Sequence, residues 1–174
     1  AALWGRLKST INPGDRVLAG ATGIFGYGIG EMAQQIGADV QIIGFDYDVV
    51  ADPLQVAEAI RDFRPKMVTA VHCETPSGTL NPIADIGELI RRYEVPLYYV
   101  DAVASFGGAP LEVDTWSIDL CLGGSQKCLS APPDMAIVTV SDRAWSVIDE
   151  VDYVGYDALK PWHTALEDKW YPYT

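Results

Sequence analysis

The chain has 174 residues, 49% of them hydrophobic, and a formal net charge of −12. Such a length and apolar fraction can bury one real core, while so acidic a balance offers no basic face to nucleic acid or to an anionic membrane. Cys73, Cys121 and Cys128 show no metal-ligand spacing and point to a reduced, cytoplasmic protein.

The first apolar run, "VLAG" at 17–20, leads into a glycine-rich turn, "ATGIFGYGIG", and then "GEMAQQIG" at 30–37, whose apolar residues recur at three and four. A second run, "QIIGF" at 41–45, precedes "PLQVAEAIRDF" at 53–63, and Asp52 before Pro53 is a capping residue followed by a first-turn proline. "MVTAVHC" at 67–73 exits into Glu74-Thr75-Pro76-Ser77-Gly78, and Asn81 before Pro82 opens "PIADIGELIRRYE" at 82–94 in the same capped manner. "LYYVDAV" at 97–103, "LCLGG" at 120–124 and "AIVTV" at 136–140 complete the strands. Apolar runs alternating with helical periodicity predict a mainly parallel sheet covered by helices on both faces, a three-layer α/β sandwich. No apolar run reaches the length of a membrane span. With no initiator Met and no signal-like start, the chain is expected to be a piece of a longer protein.

In such sheets ligands bind beyond the carboxyl ends of the strands. The exits carry Phe25 in the glycine-rich turn, Thr75 in the Glu-Thr-Pro-Ser-Gly loop, Asp101 followed by Val103, and Lys127 within "GGSQKCLSAPP". A lysine that ends a buried strand must find a partner or a task, because its ammonium is costly away from water. One reading is an ion pair between Lys127 and Asp101. A cofactor explains more: pyridoxal phosphate needs a lysine to hold its aldehyde as a Schiff base, a carboxylate at its ring nitrogen, apolar surfaces on its faces and small polar groups around it. Lys127 and Asp101 supply the first two, Val103 and Phe25 the faces, and Ser125, Gln126 and Thr75 the hydrogen bonds.

A dinucleotide site fits less well. Asp46 lies near where a ribose-binding acid is expected, but Glu31 stands where the third glycine of the fingerprint belongs and would face a pyrophosphate with the wrong sign. His72 and His163 lack a partner at metal spacing and read as structural, and the three cysteines read as small packing residues.

"YVDAVASFGG" at 99–108 with "GGSQKCLSAPP" at 123–133 resembles the core of the class V, fold-type I pyridoxal-phosphate aminotransferases, nearest the alanine:glyoxylate and serine:pyruvate branch. "GIFG", "HCETPSG", "GELIRRY" and the closing "YPYT" fall in the family's order. The resemblance implies that residues 1–174 are most of the large cofactor-binding domain, with an N-terminal segment and a C-terminal small domain missing. It makes Lys127 the Schiff-base lysine, Asp101 the partner of the pyridine nitrogen and Val103 the ring-packing valine. Phe25 takes the stacking aromatic's place, often tryptophan in the family, and Gln126 and Thr75 match cofactor-contacting positions. Tyr171 and Thr174 match a Tyr-x-x-Thr segment that reaches the neighbouring subunit's cofactor phosphate, which implies a homodimer with shared sites. The implied reaction moves an amino group from a small donor, such as alanine or serine, to glyoxylate or pyruvate. Two alternatives stay open: pyridoxamine:pyruvate amino transfer, which the Thr75-Pro76-Ser77 form resembles and in which the vitamin is the substrate, and a class V lyase such as a cysteine desulfurase. In the desulfurases a histidine usually stands where this chain has Gln126.

Overall fold

The computed structural model describes residues 2–170. A first helix, α1 (Ala2–Thr10), precedes β1 (Arg16–Ala21), α2 (Ile24–Ile36), β2 (Asp39–Gly44), α3 (Pro53–Phe63) and β3 (Met67–Val71). A two-stranded hairpin, β4 (Cys73–Glu74) and β5 (Thr79–Leu80), leads to α4 (Ile83–Arg92), β6 (Leu97–Asp101) and β7 (Leu120–Gly124). The chain closes with β8 (Ala136–Val140), α5 (Asp142–Glu150) and the short α6 (Ala165–Asp168).

The main sheet runs β2-β1-β3-β6-β7-β8. Its first four pairings are parallel and only β7 with β8 is antiparallel, as the alternating pattern predicts. The segment between Gly124 and Ala136 is too short for a crossover helix, so the chain turns back on itself there. Every residue of β3, β6 and β7 is buried, whereas the edge strands β2 and β8 are partly open. That gradient is why the central strands read as unbroken apolar runs.

Strand alternation divides the core. On one face Leu18, Val68, Tyr98 and Val100 meet Val56 and Ile60 of α3 and Ile86 and Ile90 of α4. On the other, Val17, Met67, Tyr99 and Leu120 meet Leu7 of α1, Ile29 and Ala33 of α2 and Ile148 of α5. Each such side chain, fully buried, contributes about 1.5–3 kcal/mol. Asp101, two residues after Tyr99, shares the α1–α2 face.

Several local expectations change. Asp52 caps α3 as expected, accepting from the Leu54 N–H at 2.9 Å. Asn81 does not cap α4. Its Nδ2 donates to Thr22 Oγ1 at 2.9 Å and to the Val71 carbonyl at 2.8 Å, and its Oδ1 accepts from Ala51 N–H at 3.0 Å. Buried in this way, it ties the ends of β1 and β3 together, a task that takes its side chain away from the helix. Phe25 lies in the first turn of α2 rather than in an open turn. Helices α1 and α5 escape the periodicity reading: the buried positions of α1 are Gly5, Arg6, Leu7, Ser9 and Thr10, only one of them a large apolar residue. In α5 the signal is a cap, Ser141 Oγ accepting from Ala144 N–H at 3.1 Å. The same hydroxyl donates to buried Asp119, which also accepts from Tyr98 N–H and pairs with Arg143 at 2.7 Å.

Candidate active site

Because β1, β3, β6 and β7 are neighbours in that order, their carboxyl ends form one rim. Phe25, Thr75, Asp101 and Lys127, spread over a hundred residues of sequence, therefore line a single cavity of about 380 Å³, together with Val103 and Gln126. Six of the seven described residues expected at the site are thus brought together, Ser125 being the exception. Tyr171 and Thr174 lie outside the described residues. A larger groove of about 630 Å³ opens at the opposite, amino ends of the strands, where Arg61 and Arg64 stand at the C-terminal end of α3 and complement its dipole. It gathers no comparable set of reactive groups.

Asp101 is buried, and its Oδ1 accepts from Val103 N–H at 2.9 Å. Burial pushes its carboxyl above the ordinary range; the Val103 N–H and then Arg6 pull it back, Glu74 raises it further and Lys127 lowers it. Lys127 is half-buried and, among the described residues, forms no ion pair with Asp101 or any other group. The ion-pair reading therefore fails, and both charged groups are left facing the cavity.

The sequence around Lys127 explains its placement. A Cβ on Gly124 would lie 2.7 Å from Gln126 Oε1 and 3.1 Å from Val103 Cγ1, and one on Gly123 would lie 2.9 Å from the Phe106 ring. A side chain at Gly124 would push Gln126 and Val103 off the cavity wall, and one at Gly123 would displace the Phe106 ring. Ser125 does not face a ligand as expected. Its Oγ donates to the Pro132 carbonyl at 2.5 Å and accepts from Met135 N–H at 3.2 Å, and its backbone carbonyl accepts from Ala131 N–H at 3.0 Å. The residue is the knot at the base of the loop that carries Lys127, with the prolines closing the far side.

Glu74 is a positioning residue that the sequence reading passed over. Fully buried, it accepts from Phe25 N–H through Oε1 at 3.1 Å, so its charge sits at the N-terminus of α2 and fixes the turn that presents the Phe25 ring. Gly23 makes room for it, since a Cβ there would come 2.8 Å from Glu74 Oε1. The available signal was a glutamate at a strand exit, beside a glycine-rich turn after a neighbouring strand.

Of the remaining candidates, His72, His163 and Cys121 take the structural roles expected of them, whereas Cys73 is half-buried and Cys128 is exposed, its Sγ donating to the Ala104 carbonyl at 3.2 Å, so it is not the packing residue expected. His72 Nδ1 meets Ser105 Oγ at 2.9 Å, its ring is edge-on to Trp116, and burial pulls its pKa down. His163 stacks on Trp145 beside Asp149. Burial pushes the Cys121 thiol up to about 12, away from nucleophilic use. No cluster that could hold a metal ion occurs among the described residues, and none of their helices is long and apolar enough to cross a membrane.

The donor set fits pyridoxal phosphate: one amine, one carboxylate, apolar surfaces from Phe25 and Val103 and polar groups from Thr75 and Gln126, all on one cavity. The fold agrees. It is the α/β fold of the pyridoxal-phosphate-dependent aminotransferases, and alanine–glyoxylate aminotransferase from Nostoc sp. superposes with a TM-score of 0.93 at 30% identity, over 99% of this chain and 47% of that one. The Aminotransferase class-V profile matches residues 2–161, and the chain belongs to that family. It is 43% identical over 142 residues to (S)-ureidoglycine–glyoxylate transaminase of Bacillus subtilis, covering 82% of this chain and 34% of the relative. It is 39% identical over 139 residues to pyridoxamine–pyruvate transaminase of Mesorhizobium japonicum, covering 79% and 35%. The chain thus spans a third to a half of the length of these relatives.

The raised carboxyl of Asp101 gives a pH signature. A carboxyl whose folded pKa exceeds its unfolded value favours the fold most below the unfolded value, about 4, and that contribution is lost as pH rises through the folded value. In cofactor-free protein, the stability of Asp101→Asn relative to wild type should therefore increase with pH from about 4 upward and then level off. Urea unfolding across that range measures it; a difference that is flat in pH contradicts the assignment.

Proposed function

We propose that the protein is a pyridoxal-phosphate-dependent aminotransferase that passes an amino group from a small amino acid to a short 2-oxo acid, glyoxylate or pyruvate. One observation carries this reading: Lys127 and Asp101 reach the same cavity without pairing with each other, with Phe25 and Val103 beside them. Pyridoxal phosphate, when bound, would supply an aldehyde that holds the amino group and a ring that withdraws electrons from the adjacent carbon.

The chain's own residues do the rest. Lys127 tethers the cofactor aldehyde and, when free as an amine, moves the proton at the substrate α-carbon. Asp101 holds a proton at the pyridine nitrogen. Phe25 and Val103 exclude water from the ring faces, while Gln126 and Thr75 orient the ring through its polar edge. We propose further that residues 1–174 are most of the large cofactor-binding domain and that the arginine for the substrate carboxylate is supplied from a small domain outside them.

Lys127→Ala should abolish amino transfer from alanine to glyoxylate, by several orders of magnitude, with the fold retained by circular dichroism. Full activity in that variant defeats the proposal. A second reading, amino transfer between pyridoxamine and pyruvate, is favoured by the likeness to the Mesorhizobium enzyme and by Thr75-Pro76-Ser77. A purified protein that is colourless yet consumes free pyridoxamine and pyruvate selects it over the bound-cofactor form.

We also propose a homodimer whose two sites are shared, with Tyr171 and Thr174 of each subunit reaching the phosphate in the other. Ile24, next to Phe25, is exposed, and exposed Tyr47 donates to the Pro76 carbonyl in the loop that carries Thr75, an apolar surface suited to a partner. When Lys127→Ala is mixed with Tyr171→Phe/Thr174→Ala, heterodimers should regain one intact site in two and the mixture about a quarter of wild-type activity. Heterodimers that form but remain inactive contradict shared sites.

A further inference from the structure

We infer that His72 is a positioning residue of the site, gripping the exit of β6 on both sides of the segment that carries Asp101 and Val103 to the cavity. Its own side chain does not line that cavity. Val71 and Cys73 do, while His72 between them turns the other way and packs edge-on against Trp116, with ring centroids 6.0 Å apart.

The grip has two points. The His72 N–H donates to the Asp101 carbonyl at 2.8 Å, just beyond the paired residues of β3 and β6, and the His72 carbonyl accepts from Asn81 N–H at 2.8 Å. The ring then reaches past Asp101: its Nδ1 meets Ser105 Oγ at 2.9 Å, with both residues buried. Ser105 is the hub of the turn. Its N–H donates to the Ala102 carbonyl at 3.0 Å and its Oγ lies 3.3 Å from the same carbonyl, while its own carbonyl accepts from Gly108 and Ala109 N–H at 2.8 and 3.0 Å. Asp101, Val103 and Ala104, all on the cavity wall, lie between or at the two held points, and Val103 N–H fixes Asp101 Oδ1. A backbone bond keeps β6 in register with β3, but the side-chain bond sets how the chain turns after Asp101. Packing against Trp116 alone would need no polar atom, and a buried pair that loses one member leaves the other unsatisfied. The bearing of this grip on a pyridine nitrogen rests on the function proposed above, whereas the grip itself does not.

The test measures pyridoxal phosphate binding to the complete protein by equilibrium titration. His72→Gln, whose amide stands where Nε2 was, and Ser105→Ala should each weaken binding about tenfold. His72→Asn, whose amide stands where Nδ1 was and can donate or accept there, should stay within about twofold of wild type. In an Asp101→Asn background the losses from His72→Gln and Ser105→Ala should shrink to about twofold, because the carboxylate that the turn aims is gone. Should His72→Gln fail to fold, Ser105→Ala decides by the same comparison with and without Asp101. Equal losses in His72→Asn and His72→Gln, or a Ser105→Ala loss that is the same in both backgrounds, reduce His72 to packing and overturn the inference. A wild-type protein that binds no pyridoxal phosphate defeats the proposed function instead. The inference is then decided by urea midpoints without cofactor, which are non-additive for Ser105→Ala and Asp101→Asn if one held turn carries both, and additive if it is wrong.

Discussion

Asp101 stands at the end of a strand buried on both faces, where an ionised carboxylate costs several kcal/mol unless charges and donors surround it. The surroundings are assembled from four places in the chain: the Val103 N–H just beyond the strand, Arg6 from the first helix, Lys127 from the loop after β7, and Glu74, of the wrong sign, from the hairpin after β3. Burial still wins, and the carboxyl remains above its ordinary range. A chain would gain stability by placing an apolar residue here, so the charge is retained for what it faces in the cavity.

The sheet order makes this possible. Parallel strands deliver all their carboxyl ends to one edge, and the neighbours β1, β3, β6 and β7 place an aromatic ring, a polar loop, an acid and an amine within one cavity. Precision comes from residues that never reach the cavity. Glu74 fixes the turn of Phe25, Asn81 ties β1 to β3, and Ser125 knots the loop of Lys127. Each spends a buried polar group on holding another residue in place.

Much of this was legible in the sequence because parallel strands announce themselves as apolar runs and the reactive residues follow them directly. The positions of Asp101 and Lys127 at strand exits were enough to suggest that they meet at one site, but not whether they pair. That depends on the glycine pair and the Ser125 knot, which are three-dimensional facts. Arg6 was illegible for the opposite reason: a charged residue in a short helix reads as surface, and only the packing of α1 on the sheet reveals it as core. Asn81 misled because Asn before Pro suits a helix cap as well as it suits a buried tie.

The central claim is that Lys127 is the covalent anchor of the cofactor. Borohydride reduction of the complete protein with pyridoxal phosphate bound, followed by proteolysis and mass spectrometry, tests it most directly. A pyridoxyl group fixed on the peptide containing Lys127, and absent when Asp101 and Lys127 are both replaced, is the result the account predicts. A label on Lys8, Lys66, Lys160 or Lys169 with Lys127 unmodified would contradict it.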